Sequence, residues 1–159
     1  MKNMLLKQLI VLPLLLAGLA LLHASGMGRA SAEAPVRFSN TYVFTVGSSI
    51  NVPPAAGPAI AGAIAGATPN VKLERVNDSR CRKNTVCVWA GYISYSFSLT
   101  NADGTVSNFV LSDNMPNASS KITQNGLTFS LAGVQPEAVP GKNEAAPDYR
   151  VSLRVSNTE

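Results

Sequence analysis

Cys81 and Cys87 are the only thiols of the 159-residue chain, and they bracket Arg82-Lys83-Asn84-Thr85-Val86. Two thiols can close a disulfide, exchange electrons or hold a metal. Exchange chemistry relies on C-x-x-C spacing and a helix N-terminus to lower a thiol pKa, and neither is found here. A metal would need ligands beyond two sulfurs. The one histidine, His23, lies in an apolar leader, so the chain from Glu33 onward has no imidazole. Ser-His-Asp and Cys-His catalysis and the commonest zinc and copper sites are thereby removed. An even thiol count in an exported chain points to a structural disulfide. Loop-closure entropy makes it worth about 2 kcal/mol. It would hold Arg82 to Thr85 as a rigid projecting tip, with no metal and no cofactor.

The residues around the thiols suggest contacts rather than turnover. Asp78 and Arg80 are spaced for a local salt bridge or a turn cap. Catalysis by Asp78 or Ser79 would need a base or an oxyanion partner that nothing in the sequence identifies, so no catalytic residue is assigned. A carboxylate-only hydrolase would have to place two of Asp78, Asp103, Asp113 and Glu137 about 5–10 Å apart across a cleft. Trp89, the only tryptophan, stands among Val88, Ala90 and Gly91. That setting favours a core position against the disulfide over a stacking surface with Tyr92 and Tyr95. Arg80, Arg82 and Lys83 form the densest basic cluster and are the candidate binding loop.

Together these residues compose a motif, Asp78-Ser79-Arg80-Cys81 followed by Cys87-Val88-Trp89-Ala90-Gly91. It resembles one carried by a group of small bacterial exported proteins and lipoproteins of unassigned function, of the form D-S-R-C-P, a few residues, then C-x-W-x-G. The likeness runs from the segment near Phe44 to Asp148-Tyr149-Arg150. Two departures stand out: Arg82 occupies the usual proline position, and the lipid-attachment cysteine of many members is missing. The resemblance implies a β-rich exported domain and transfers no activity.

The elements that must carry the motif alternate with a period of two. Tyr42 to Val46 is a β-rich run, continued at Ile50 to Val52 and stopped by Pro53-Pro54. Val71, Leu73 and Arg75 would share one face of a strand, with Lys72, Glu74 and Val76 on the other. Ile93, Tyr95, Phe97 and Leu99 alternate with Ser94, Ser96 and Ser98. Asn101 to Gly104 is a turn signal and Val106 to Leu111 the returning partner. Lys121 to Thr123, Leu127 to Leu131 and Tyr149 to Val155 complete the set. Seven or eight short strands with no helix predict an all-β domain, a single antiparallel β-sandwich or small barrel. Pro53 to Pro69 is rich in Ala, Gly and Pro and reads as a flexible loop within it.

The amino terminus sets the cellular context. Lys2 and Lys7 precede the apolar run Leu9–Leu22, and Ala30-Ser31-Ala32 is a good cleavage site. The run is shorter than the ~20 residues a spanning helix needs. Residues 1–32 are therefore expected to be a signal peptide cleaved after Ala32, leaving 33–159 as one periplasmic or secreted domain without a membrane span. Loss of Lys2, Lys7 and Arg29 takes the formal charge from +4 to +1, which withdraws support from a nucleic-acid partner. The expected function is a non-enzymatic binding or envelope-associated module. Its basic loop would meet a protein or an anionic envelope component. The alternative is inhibition of a secreted hydrolase by the same loop, and a carboxylate enzyme comes third.

Overall fold

The computed structural model describes residues 37–55 and 68–157, which belong to one compact unit spanning Pro35–Glu159. The leader 1–32 lies outside the described residues, as does most of the Ala/Gly/Pro segment. The two ends of that segment are brought together, with the Val52 amide donating to the Pro69 carbonyl at 2.8 Å. Among the described residues no helix is long and apolar enough to cross a membrane.

The chain is all-β. The eight strands among the described residues are β1 (Ser39–Phe44), β2 (Ser49–Asn51), β3 (Asn70–Asp78), β4 (Ile93–Thr100), β5 (Val106–Leu111), β6 (Lys121–Gln124), β7 (Leu127–Gln135) and β8 (Arg150–Ser156). They form two four-stranded antiparallel sheets, β1-β8-β7-β6 and β2-β3-β4-β5. The arrangement is sandwich-like, not a closed barrel. Each alternating strand has one apolar face that must leave water, and two such sheets bury those faces against each other.

Aromatic rings join the two sheets. Phe44 of β1 meets Phe97 of β4 edge to face at 5.7 Å, Phe97 stacks on Phe109 of β5 at 5.4 Å, and Phe109 tilts onto Phe129 of β7 at 4.8 Å. Val71, Leu73, Leu99, Val151, Leu153 and Val155 fill in around them with no exposed surface. Such offset and edge-on pairs add to area burial because each ring edge meets a ring face of opposite partial charge.

Strict alternation fails at two bulges. In β3 the pairing with β4 slips between Leu73 and Arg75, so Val76 lies opposite Tyr95 and packs on the core. The expected sharing of a face by Val71, Leu73 and Arg75 is thus corrected. The extra residue turns Arg75 out and Val76 in. In β7 the slip between Leu131 and Gly133 sets Val134 opposite Val151, and both valines join the core or pack against it. The β6–β7 hairpin turns on Asn125 and Gly126, with φ of 52° and 75°, as a two-residue turn of the primed type requires.

Candidate functional site

The motif occupies the connection between β3 and β4. Its base continues their ladder beyond the strand ends. The Ser79 amide and hydroxyl both donate to the Tyr92 carbonyl, at 2.8 and 2.9 Å, and the Cys81 amide donates to the Ala90 carbonyl at 2.7 Å. Gly91 sits inside this ladder at φ 71°, and a Cβ there would fall 1.9 Å from the Ser79 carbonyl oxygen. No side chain fits, which explains the glycine at that place in the motif.

Asp78, at the end of β3, is the hub of the base. Its Oδ1 accepts from the Arg80 amide at 3.1 Å and Nε at 2.9 Å, and its Oδ2 accepts from Arg80 Nη2 at 2.8 Å. The Tyr149 hydroxyl, arriving from just before β8, also donates to Oδ2. The Asp–Arg pair keeps only 12% and 16% side-chain exposure respectively. The Arg80 hydrogen bonds hold the Asp78 carboxyl down at about 2, against the opposing effect of burial. Arg80 is correspondingly pushed up by the same contact. Burial, then the bond to Asp78, raises Tyr149 above the ordinary phenol value. A carboxylate this firmly ionised has no proton to give at neutral pH, so Asp78 is a poor general acid.

Arg80 and Arg82 also bind the loop to the connection between β7 and β8. Arg80 Nη1 donates to the Glu137 carbonyl at 3.0 Å. Arg82 Nη1 donates to the carbonyls of Gly141 and Glu144 at 3.1 and 2.6 Å. The Lys83 amide donates to the Pro140 carbonyl at 3.2 Å. Two of the three expected binding cations are therefore engaged with the protein itself, and within Arg80–Lys83 only the Lys83 side chain is exposed. A guanidinium carries five donors in a fixed fork and suits loop carbonyls that have lost water. Beside these residues lies a cleft of about 410 Å³, walled by Asp78, Arg82, Pro140, Pro147 and Tyr149.

The disulfide Cys81–Cys87 forms, with Cα atoms 5.9 Å apart. Beyond it the chain turns at Asn84, whose φ is 61°. Here the structure corrects the reading of Trp89. Its ring is 62% exposed, and Val86 and Val88 are fully exposed at 101% and 104%. Trp89 is not packed in the core, because residues 82–90 belong to neither sheet and carry no strand face to turn inward. Tyr95 is 1% exposed and unavailable for stacking, while burial pushes its phenol up to about 12. Trp89 and Tyr92 do touch, edge to face at 5.9 Å and 72°. A period-two argument does not apply outside a strand.

Val86 and Val88 were not picked out as site residues by sequence reasoning. A usable signal exists: they flank Cys87, and a bridge closing over five intervening residues denies that stretch a paired strand. Asp103 closes the β4–β5 turn on Thr105 at 2.6 and 2.9 Å, away from the cleft that holds Asp78. Among the described residues no cluster of three or more His, Cys, Asp or Glu side chains is placed to hold a metal ion. No family model, curated protein or solved structure matches the chain.

Proposed function

We propose that this chain is an exported, non-enzymatic binding module of the cell envelope, making its contact with the loop tip from Lys83 to Trp89. One observation carries the reading. Three large apolar side chains, Val86, Val88 and Trp89, stand in water on either side of Cys87, in a connection held by a disulfide and by backbone hydrogen bonds at its base. Exposed apolar residues scattered singly need no explanation, whereas a cluster that includes Trp is the composition of contact sites. The rigid base lowers the ordering cost of binding. The disulfide is at home in an oxidising compartment, and the leader supplies the route there.

The test is capture of the oxidised protein by its own envelope fractions. Trp89→Ala combined with Val88→Asp is expected to cut capture at least tenfold, whereas Lys83→Ala reduces it only a few-fold. Undiminished capture of the double variant would reject the tip as the contact. Inhibition of a trypsin-like hydrolase has one supporting observation, the exposed Lys83 in a closed loop. Arg82 is withdrawn onto carbonyls and the Lys83 amide is already bonded to Pro140, which leaves little free backbone for a protease cleft. Lack of inhibition at micromolar protein would remove that reading.

A further inference from the structure

We propose that the outer face of the β1-β8-β7-β6 sheet is a docking surface for an acidic polysaccharide, with Lys121, Arg150 and Arg154 meeting its carboxylates. The surface is separate from the loop between the cysteines and does not rest on the tip contact.

Register places the cations. Val151, Leu153 and Val155 are buried between the sheets, so the alternate residues Arg150, Ser152 and Arg154 of β8 point away from the core. Opposite Arg154 stand Thr41 of β1 and Ser130 of β7, and Ser130 in turn faces Lys121 of β6. One row, Thr41-Arg154-Ser130-Lys121, thus crosses all four strands. Arg150 lies two rows away, opposite Gln135. Between them Ser152 is paired with Gly133, where an added Cβ would meet nothing within 4 Å. Strand spacing sets the Arg154 and Lys121 backbones roughly 10 Å apart, and Arg150 roughly 13 Å from Arg154.

Charge is segregated between the two sheets. No Asp or Glu occurs in β1, β6, β7 or β8. Lys121, Arg150 and Arg154 are exposed, and their side chains make no ion pair among the described residues. Glu137 and Asp148 lie just beyond Gln135 and just before Arg150, so the Arg154–Lys121 row is the more strongly positive end. Asp113, ahead of β6, acts on Tyr95 of the other sheet and forms no ion pair with Lys121. On the outer face of that other sheet Lys72 is paired to Glu74 at 2.8 Å, and Glu74 also accepts from Ser98. Cations there are answered within the protein, and on the first sheet they are not.

Chemistry selects the partner. Positive charges on an open face without carboxylates attract a linear anion, at a strength that falls with salt. The side chains between them, Thr41, Ser130, Ser152 and Gln135, can both donate to and accept from sugar hydroxyls. Single-stranded nucleic acid would use exposed rings to stack bases, and these rows contain no aromatic residue. A bilayer would use apolar anchors, and Val43 is the one large exposed apolar side chain of this sheet among the described residues.

The oxidised protein is passed over immobilised polygalacturonate and over its methyl ester, which keeps the sugars and loses the charge. Retention is expected on the acid polymer alone, and it should fade as salt is raised. Arg154→Gln and Lys121→Gln should each weaken binding about threefold, and about tenfold together, with unchanged thermal midpoints. Arg75→Gln removes the same charge from the other sheet and should leave binding within about twofold. Failure to bind polygalacturonate overturns the proposal, as does equal binding to the ester or an equal loss in Arg75→Gln. Tighter binding to single-stranded DNA or to phosphatidylglycerol vesicles overturns it by reassigning the face. Polygalacturonate binding that survives Trp89→Ala supports the sheet as the site, whereas binding that needs Trp89 returns the contact to the loop.

Discussion

The two halves of the β3–β4 connection are built on opposite principles. From Asp78 to Cys81 and from Ala90 to Tyr92, polar groups are matched to polar groups: one carboxylate takes three bonds from Arg80 and one from Tyr149, and the backbones exchange bonds over a glycine that nothing could replace. From Lys83 to Trp89, apolar groups are left in water. The disulfide, with five residues between its cysteines, ties the two halves together. Satisfaction is found where the loop joins the sheets, and apolar exposure where it leaves them. Most of the motif is therefore support, and its tryptophan is the part left exposed.

That contrast makes sharp demands on variants. The largest effect is expected from Gly91→Ala. The positive φ and the 1.9 Å approach to Ser79 force the backbone apart, at a cost of about 3 kcal/mol or more. Denaturant titration reads it directly, and a loss under 1 kcal/mol would show that the base is pliable. Asp78→Asn comes next, at about 2–3 kcal/mol, because a mostly buried guanidinium loses its counter-charge. A parallel pH profile checks the cause. The carboxyl has its ordinary value of 3.8 when unfolded and about 2 when folded. A depressed acid contributes its stability in full above the unfolded value and loses it as pH falls through the folded one. Wild type should lose stability from about pH 5 down to about 2, and Asp78→Asn should flatten that window.

Reduction of Cys81–Cys87, or the paired serine variant, should cost about 2 kcal/mol in thermal or denaturant unfolding. It should also weaken the proposed tip binding more than its stability cost implies, because the base survives while the loop between the cysteines relaxes. Binding that is indifferent to reduction would separate tip rigidity from function. The smallest stability effect belongs to Trp89→Ala, within about 0.5 kcal/mol. A loss of several kcal/mol there, measured by the same unfolding curve, would return Trp89 to the core and dissolve the comparison altogether.

Strand content was open to view because period-two alternation is local. Ile93 to Leu99 and Val151 to Val155 announce which face is buried without knowing the partner sheet. The bulges were hidden, since the residue that makes β3 slip at Glu74 differs in no local way from its neighbours. Their position depends on register with β4 and on the need to bring Val76 inward. The Asp78–Arg80 pair was legible from spacing. Its third member, Tyr149, was not, being 71 residues away. Arg82 was misplaced for the same reason: its partners Gly141 and Glu144 come from a distant connection.

Sequence alone determined the chemical inventory and the local periodicities. There are two thiols and no imidazole beyond His23, one tryptophan, and alternating strands interrupted by turn residues; these follow from residue types and from the short-range sterics of the chain. Tertiary structure decided which charges are consumed and which side chains remain outside. Arg80 and Arg82 are engaged because a connection remote in sequence folds over the root of the loop, and Trp89 is exposed because no described residue buries it. Burial is a property of what packs against a residue, and that is not written in its neighbours along the chain.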